Sequence, residues 1–135
     1  MSDPRSFAGV VDVRLLATYS RGRRNVQFLT ELIYTDEVRG IEARIAPGSV
    51  TDWTSAPRWA WSVIPSFDMA AEASALHDSL LTLRRLIENG LPVSISRKTI
   101  DRLYREALRP LGVPQWRRNV HWLGVRFQAW ATGDR

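Results

Sequence analysis

The hydrophobic positions of this chain change period near its middle. Over residues 10–19, Val11, Val13 and Leu15 stand against Asp12 and Arg14, and this two-residue alternation predicts a strand. Ser20 to Arg24, rich in Arg and Gly, reads as a turn, and residues 25–34, with Val26, Phe28, Thr30 and Leu32 on one side, read as the returning strand of a hairpin. After a turn over 35–40 the alternation is sharpest: Ile41, Ala43 and Ile45 face one way, Glu42 and Arg44 the other, and Pro47-Gly48 ends the strand. The expectation is one small antiparallel sheet over residues 10–50. Residues 1–8 show no periodicity and are expected to be a flexible arm ahead of a single domain over 9–135.

Beyond Pro57 comes an irregular passage whose Trp59, Trp61, Ile64, Pro65 and Phe67 are expected to wall a core or pocket; the period then becomes helical. Asp68 is a suitable N-cap and Asn89-Gly90 a suitable stop for a helix over 69–89. On it His77 shares a face with Ala73, Leu80 and Leu81, an apolar side that should look inward, while Asp78 points about 100° away. A second helix over 96–111 opens at Ser94 or Ser96, carries Ile100, Leu103, Tyr104, Ala107 and Leu111 at three- and four-residue spacing, and closes at Gly112. Asp101 lies at the edge of that stripe, placed to turn toward His77 or to pair with Arg105. Pro114 starts a last helix over 115–130 that aligns Trp116, Val120, Leu123, Phe127 and Trp130 on one face. His121 reads as a surface or core-edge residue. Strands followed by helices predict an α+β domain: a small N-terminal antiparallel sheet packed by about three C-terminal helices.

Composition narrows the chemistry. With 44% hydrophobic and 24% charged residues among 135, the chain has the make-up of an ordinary globular domain. It holds no run of 18 uncharged apolar residues and no basic segment followed by an apolar one at its start, so neither a membrane span nor a signal peptide is expected. The absence of Cys excludes disulfides, thiolate metal sites and Cys nucleophiles, and leaves Asp, Glu, His77 and His121 as the strong ligands. The net charge of +5 comes from 19 basic residues, all Arg except Lys98. Arg beside six Trp would suit nucleic acid or a protein interface, but these Arg are spread along the whole chain, which argues against a nucleic-acid footprint.

The versatile side chains gather between Ser49 and Asp78, with Asp101 added from the later helix. One reading is a divalent metal site built from Asp52, His77, Asp78 and Asp101, since imidazole and carboxylates from separate elements bind Zn, Mn or Fe and leave a position for water. The adjacent His-Asp is shared with HD phosphohydrolases, but those need a further upstream His and none precedes His77. A second reading makes Ser55 a nucleophile, His77 its base and an Asp the orienter, without the Gly-x-Ser-x-Gly elbow and with Pro57 restraining the turn. The preferred reading is structural. Asp52 would hold its own turn through Thr54 and Ser55, His77 would dock that turn on the helix, and Arg58 would bind Asp78 or Asp101.

These residues resemble a family of small bacteriophage-encoded proteins of unknown function, marked by a Thr-Asp-x-x-Ser-x-Pro-Arg turn, a His-Asp pair and a later helical Asp. The matching positions are Thr51, Asp52, Ser55, Pro57, Arg58, His77, Asp78, Asp101 and the closing Val125-Arg126-Phe127, over roughly residues 40–128. Where the family tends to place a small residue after Thr-Asp and a Tyr soon after His-Asp, this chain has Trp53 and Leu80 or Leu81. The resemblance implies a phage or prophage late-gene product, made in the host cytoplasm and then carried into the virion. Two function classes follow: a virion-associated or assembly component, with other phage structural proteins or further copies of itself as partners, and a small metal-dependent hydrolase of cell wall or nucleic acid. An enzyme needs a wet cleft over Asp52 and His77. An assembly protein would bury that cluster and expose an apolar patch, with Trp59, Trp61, Trp116 and Trp130 as candidates.

Overall fold

The computed structural model describes residues 3–9, 11–20, 23–51 and 71–134. Asp52, Ser55, Arg58 and the aromatic passage after them lie outside the described residues. Among the described residues two antiparallel sheets carry the strands. The larger has the order β1 (Arg5–Ala8), β4 (Leu32–Asp36), β5 (Ile41–Ile45), β7 (Arg85–Glu88), β8 (Leu91–Ser94); the smaller has β2 (Val13–Ser20), β3 (Arg23–Phe28), β6 (Val50–Thr51). Three helices among the described residues, α1 (Ala71–Leu83), α2 (Arg97–Ala107) and α3 (Gln115–Thr132), make the architecture α+β. Among the described residues no helix is long and apolar enough to cross a membrane.

The alternation read from the sequence decides which strand face is buried. In β4, Leu32, Tyr34 and Asp36 point inward; in β5, Ile41, Ala43 and Ile45 do. Against them lie Ala73, Leu76 and Leu80 of α1 and Ile100, Leu103, Tyr104 and Ala107 of α2 in one core. α2 packs between α1 and α3. Its start is fixed by Ser96, whose side chain accepts a hydrogen bond from the Thr99 amide at 3.2 Å, an N-cap that satisfies a first-turn donor.

The structure corrects four expectations. Residues 5–8, assigned to the arm, form β1 along β4, held by an ion pair from Arg5 to Asp36 at 3.5 Å and by Phe7 against Tyr34 with ring centroids 5.1 Å apart. Residues 25–34, read as one strand, divide between sheets at Phe28. Val26, Phe28, Leu32 and Tyr34 are all buried even positions, so the break leaves the two-residue period intact and invisible to it. The helix over 69–89 ends at Leu83, and β7 and β8 follow it as a hairpin. Arg84 takes a left-handed φ of 56° while its amide donates to Leu80 O and its Nε to Leu81 O, so the side chain and backbone close the helix together. Asn89 and Gly90, at φ 51° and 82°, are the two central residues of the hairpin turn; this is the Asn-Gly pair that favours a tight turn, used here between strands and not as a helix stop.

The fourth correction concerns α3. Expected to pack on the sheet with the other two helices, it packs chiefly on α2, and its aligned Trp116, Leu123, Phe127 and Trp130 are each more than half exposed. α3 instead buries His121, Gly124, Val125 and Ala129. Those residues are smaller than the stripe beside them, and a helix approaches its neighbour most closely along small side chains.

Candidate functional site

Each of the three helices contributes to one buried polar cluster. α1 directs His77 inward among Ala73, Leu76 and Leu80, and both His77 and Asp101 are fully buried. His77 Nε2 lies 2.7 Å from Asp101 Oδ1; with Asp101 ionised the carboxylate accepts, so Nε2 carries the hydrogen and donates it. Arg97 and Asp101 sit one turn apart on α2, and Arg97 Nε donates to the same Oδ1 at 2.9 Å. From α3, Arg126 Nη1 donates to Asp101 Oδ2 at 2.8 Å. One carboxylate therefore joins α1, α2 and α3.

The network extends on both sides. Arg97, itself buried, also donates from Nη2 to Val125 O at 3.0 Å and approaches Asp134 at 3.5 Å. Asp134 also accepts from Arg84 at the end of α1. On the other side the Tyr104 ring lies 5.0 Å from His77 and 5.8 Å, edge-on, from His121, and Tyr104 Oη is 2.8 Å from His121 Nδ1. His121 is thus a buried partner of Tyr104 and not the surface or core-edge residue expected.

The electrostatics follow from these contacts. Burial of Asp101 works against ionisation, but the hydrogen bonds from His77 and Arg97 and their nearby charge outweigh it and hold the carboxyl below its ordinary range. Asp134, bonded chiefly by Arg84, is likewise lowered. At neutral pH Asp101 is a carboxylate whose two oxygens are both occupied by cationic or polar donors.

Asp78 faces elsewhere. Its Oδ2 accepts a short hydrogen bond from Thr51 Oγ1, which ties α1 to β6. The pair sits on the wall of a cavity of about 270 Å3 lined also by Phe28, Ser49, Ser79 and Thr82, a space to which His77 does not contribute. Of the six candidates named from the sequence, His77 and Asp101 meet directly, Asp78 turns away toward Thr51, and Asp52, Ser55 and Arg58 lie outside the described residues. Among the described residues no group of three or more His, Asp or Glu is arranged to hold a metal ion. Asp101 neither bonds Arg105 nor has a free oxygen; Arg105 bonds Asn119.

Sequence reasoning passed over Arg97 and gave Arg126 no role of its own. Arg97 carried a usable signal, a cation four residues before Asp on a securely placed helix. Arg126 had none beyond its place in the closing motif.

No curated protein and no solved structure matches this chain. The profile of a family described as "Protein of unknown function (DUF1353)" matches residues 26–125, a span that holds His77, Arg97 and Asp101. The match covers well over half of the chain, and the protein belongs to the DUF1353 family.

Proposed function

We propose that this protein is a phage or prophage late-gene product serving as a virion-associated or assembly component, with its His77-Asp101 cluster acting to lock three helices together. The observation that carries this reading is the state of Asp101: fully buried, with His77 and Arg97 on one oxygen and Arg126 on the other. A catalytic carboxylate needs a lone pair open to substrate, water or metal, and two guanidinium groups at its oxygens disfavour a third cation. The exposed stripe on α3 supports the same reading, because a large apolar patch on a folded chain marks a contact surface. The phage assignment rests on the resemblance carried by Thr51, Asp52, Ser55, Arg58, His77 and Asp101.

Two experiments test it. Replacement of His77 by Ala is expected to cost roughly 1 to 3 kcal/mol, the usual penalty for stranding buried hydrogen-bond partners, with no gain in the parent's melting temperature on adding Zn or Mn. Metal-dependent stabilisation of the parent that disappears on replacing His77 by Ala and on replacing Asp52 by Asn would favour the metal-site reading instead. Deleting the gene from an inducible prophage should leave DNA replication intact and lower the yield of complete particles. A normal particle yield would remove the assembly role.

A further inference from the structure

α3 offers two apolar faces, and the subunit uses one. His121, Gly124, Val125 and Ala129 are buried, while Trp116, Leu123, Phe127 and Trp130 on the other side are 57, 57, 58 and 62% exposed. With half-buried Val120 these residues follow one another at steps of four, three, four and three, the seam spacing of a helix that lies along another helix. At 1.5 Å per residue the seam runs about 21 Å. Phe127 and Trp130 already stand with ring centroids 6.4 Å apart, so part of the surface is assembled before any partner arrives.

We propose that this seam is the two-fold contact of a homodimer in which α3 of one copy packs antiparallel on α3 of the other. The inference deepens the assembly reading and rests on it only in treating this face as an interface. Three observations select a second copy as the occupant. First, none of Trp116, Val120, Leu123, Phe127 and Trp130 is charged, so the seam itself does not repel its own image. Second, Leu123 lies seven residues from Trp116 and seven from Trp130, so a two-fold axis beside Leu123 sets Trp116 of each copy near the other copy's Trp130.

Third, the area is of the size a dimer needs. More than half of three aromatic side chains and one Leu amounts to roughly 400 to 500 Å2 of exposed apolar surface, within the range for the largest patch on a monomer, which often marks a contact surface. Two such patches brought together cover about 800 to 1,000 Å2, close to the ~1,000 Å2 that a specific interface should clear.

Sedimentation velocity on the full chain, from about 1 to 100 µM, reads the result as mass. The parent is expected to sediment as a dimer, and Leu123→Glu to weaken association about 100-fold or more with helical circular dichroism unchanged. Arg102→Glu, on an exposed position of α2, should leave the dimer in place. If Leu123→Glu loses its helical signal, Trp130→Gln makes the same comparison. Because the chain has no Cys, Leu123→Cys should form a disulfide-linked dimer on mild oxidation, whereas Lys98→Cys should not. A parent that is monomeric throughout, or a dimer indifferent to the seam substitutions, overturns the proposal, and a dimer in which Leu123→Cys does not link overturns its antiparallel two-fold. Each of these failures leaves the His77-Asp101 reading standing, since that reading has its own stability and metal test.

Discussion

Replacing Asp101 by Asn keeps the shape of the side chain and removes its charge, which makes it the sharpest perturbation of the cluster. In the parent, Asp101 accepts from His77 at 2.7 Å, Arg97 at 2.9 Å and Arg126 at 2.8 Å. An amide has one accepting oxygen and an NH2 that must point at a donor, either at His77 Nε2 and Arg97 or at Arg126. Among the described residues Arg97, buried, keeps its charge with only the partly exposed Asp134 as a remaining counter-ion. Breaking a buried ion pair from one side costs about 3 to 5 kcal/mol, because the partner stays buried and uncompensated. For a domain of 135 residues, between the size classes whose melting response is known, that corresponds to a fall of roughly 10 to 20 °C. The pH dependence has a definite sign. Asp101 is held below its ordinary range in the fold and titrates near 3.9 in the unfolded chain, so its contribution is complete above about pH 4 and is lost as pH falls through the lower, folded value. The stability gap between parent and Asp101→Asn, measured by thermal denaturation at several pH values, should therefore be present at pH 7 and narrow below pH 4. A gap under about 1 kcal/mol at pH 7, or one that does not narrow in acid, would refute the assignment of Asp101 as the ionised centre of the cluster.

The two arginines should differ. Arg97→Met, at a buried side chain bonded to Asp101, Val125 O and Asp134, is expected to cost more than Arg126→Met, whose side chain is 23% exposed and bonds Asp101 from one side; urea unfolding of both variants decides, and equal losses would contradict the geometry. In the β7-β8 turn, Gly90 holds φ 82° with open space where a Cβ would go, so Gly90→Ala should cost only the backbone strain of about 1 kcal/mol; a larger loss would mean that the turn is not in its hairpin form. Asp36→Ala should destabilise by about 1 to 2 kcal/mol and raise amide exchange in the 37–40 turn, because Asp36 Oδ1 accepts from the Val38 and Arg39 amides; unchanged exchange there would exclude that role.

What the sequence disclosed depended on whether the physics was local. α2 was legible because its cap and period are both local: Ser96 bonds Thr99, and Ile100, Leu103, Tyr104 and Ala107 repeat within one helix. β5 was legible because five alternating residues define a half-buried strand. β1 was not, because Arg5 to Ala8 carries little pattern and is a strand through long-range pairing with β4. The hairpin after α1 was legible in principle, since Asn89-Gly90 is a strong turn signal; it was obscured by Leu83, Leu86 and Ile87, which continue a helical apolar spacing across the point where Arg84 breaks the helix. For the site, residue type alone pointed to His77 and Asp101, and the fold brings them together. Their cationic partners stayed hidden because Arg is scattered along the chain, and nothing local separates Arg126 from its neighbours until α3 is packed.

α3 shows how far a hydrophobic pattern can carry an argument about location. Its large stripe, Trp116, Val120, Leu123, Phe127 and Trp130, is the more prominent on the page, and greater apolar area means greater gain on burial. Burial within the subunit, however, is limited by the room beside α2, and by the need for Arg97 to reach Val125 O and for Tyr104 to reach His121. Those contacts bring the α3 backbone close, which Gly124 and Ala129 permit and which Phe127 or Trp130 at the same place would prevent. Small side chains therefore take the inner face, and the polar cluster sets the rotation of the helix as much as hydrophobicity does. The large stripe is then left on the outside with its apolar area unspent. Coupling between the two faces follows: an Asp101 variant that loosens Arg126 frees α3 to rotate, so Asp101→Asn should weaken dimerisation through α3 although Asp101 itself is buried, and a dimer as tight as the parent's in that variant would show the two faces to be independent.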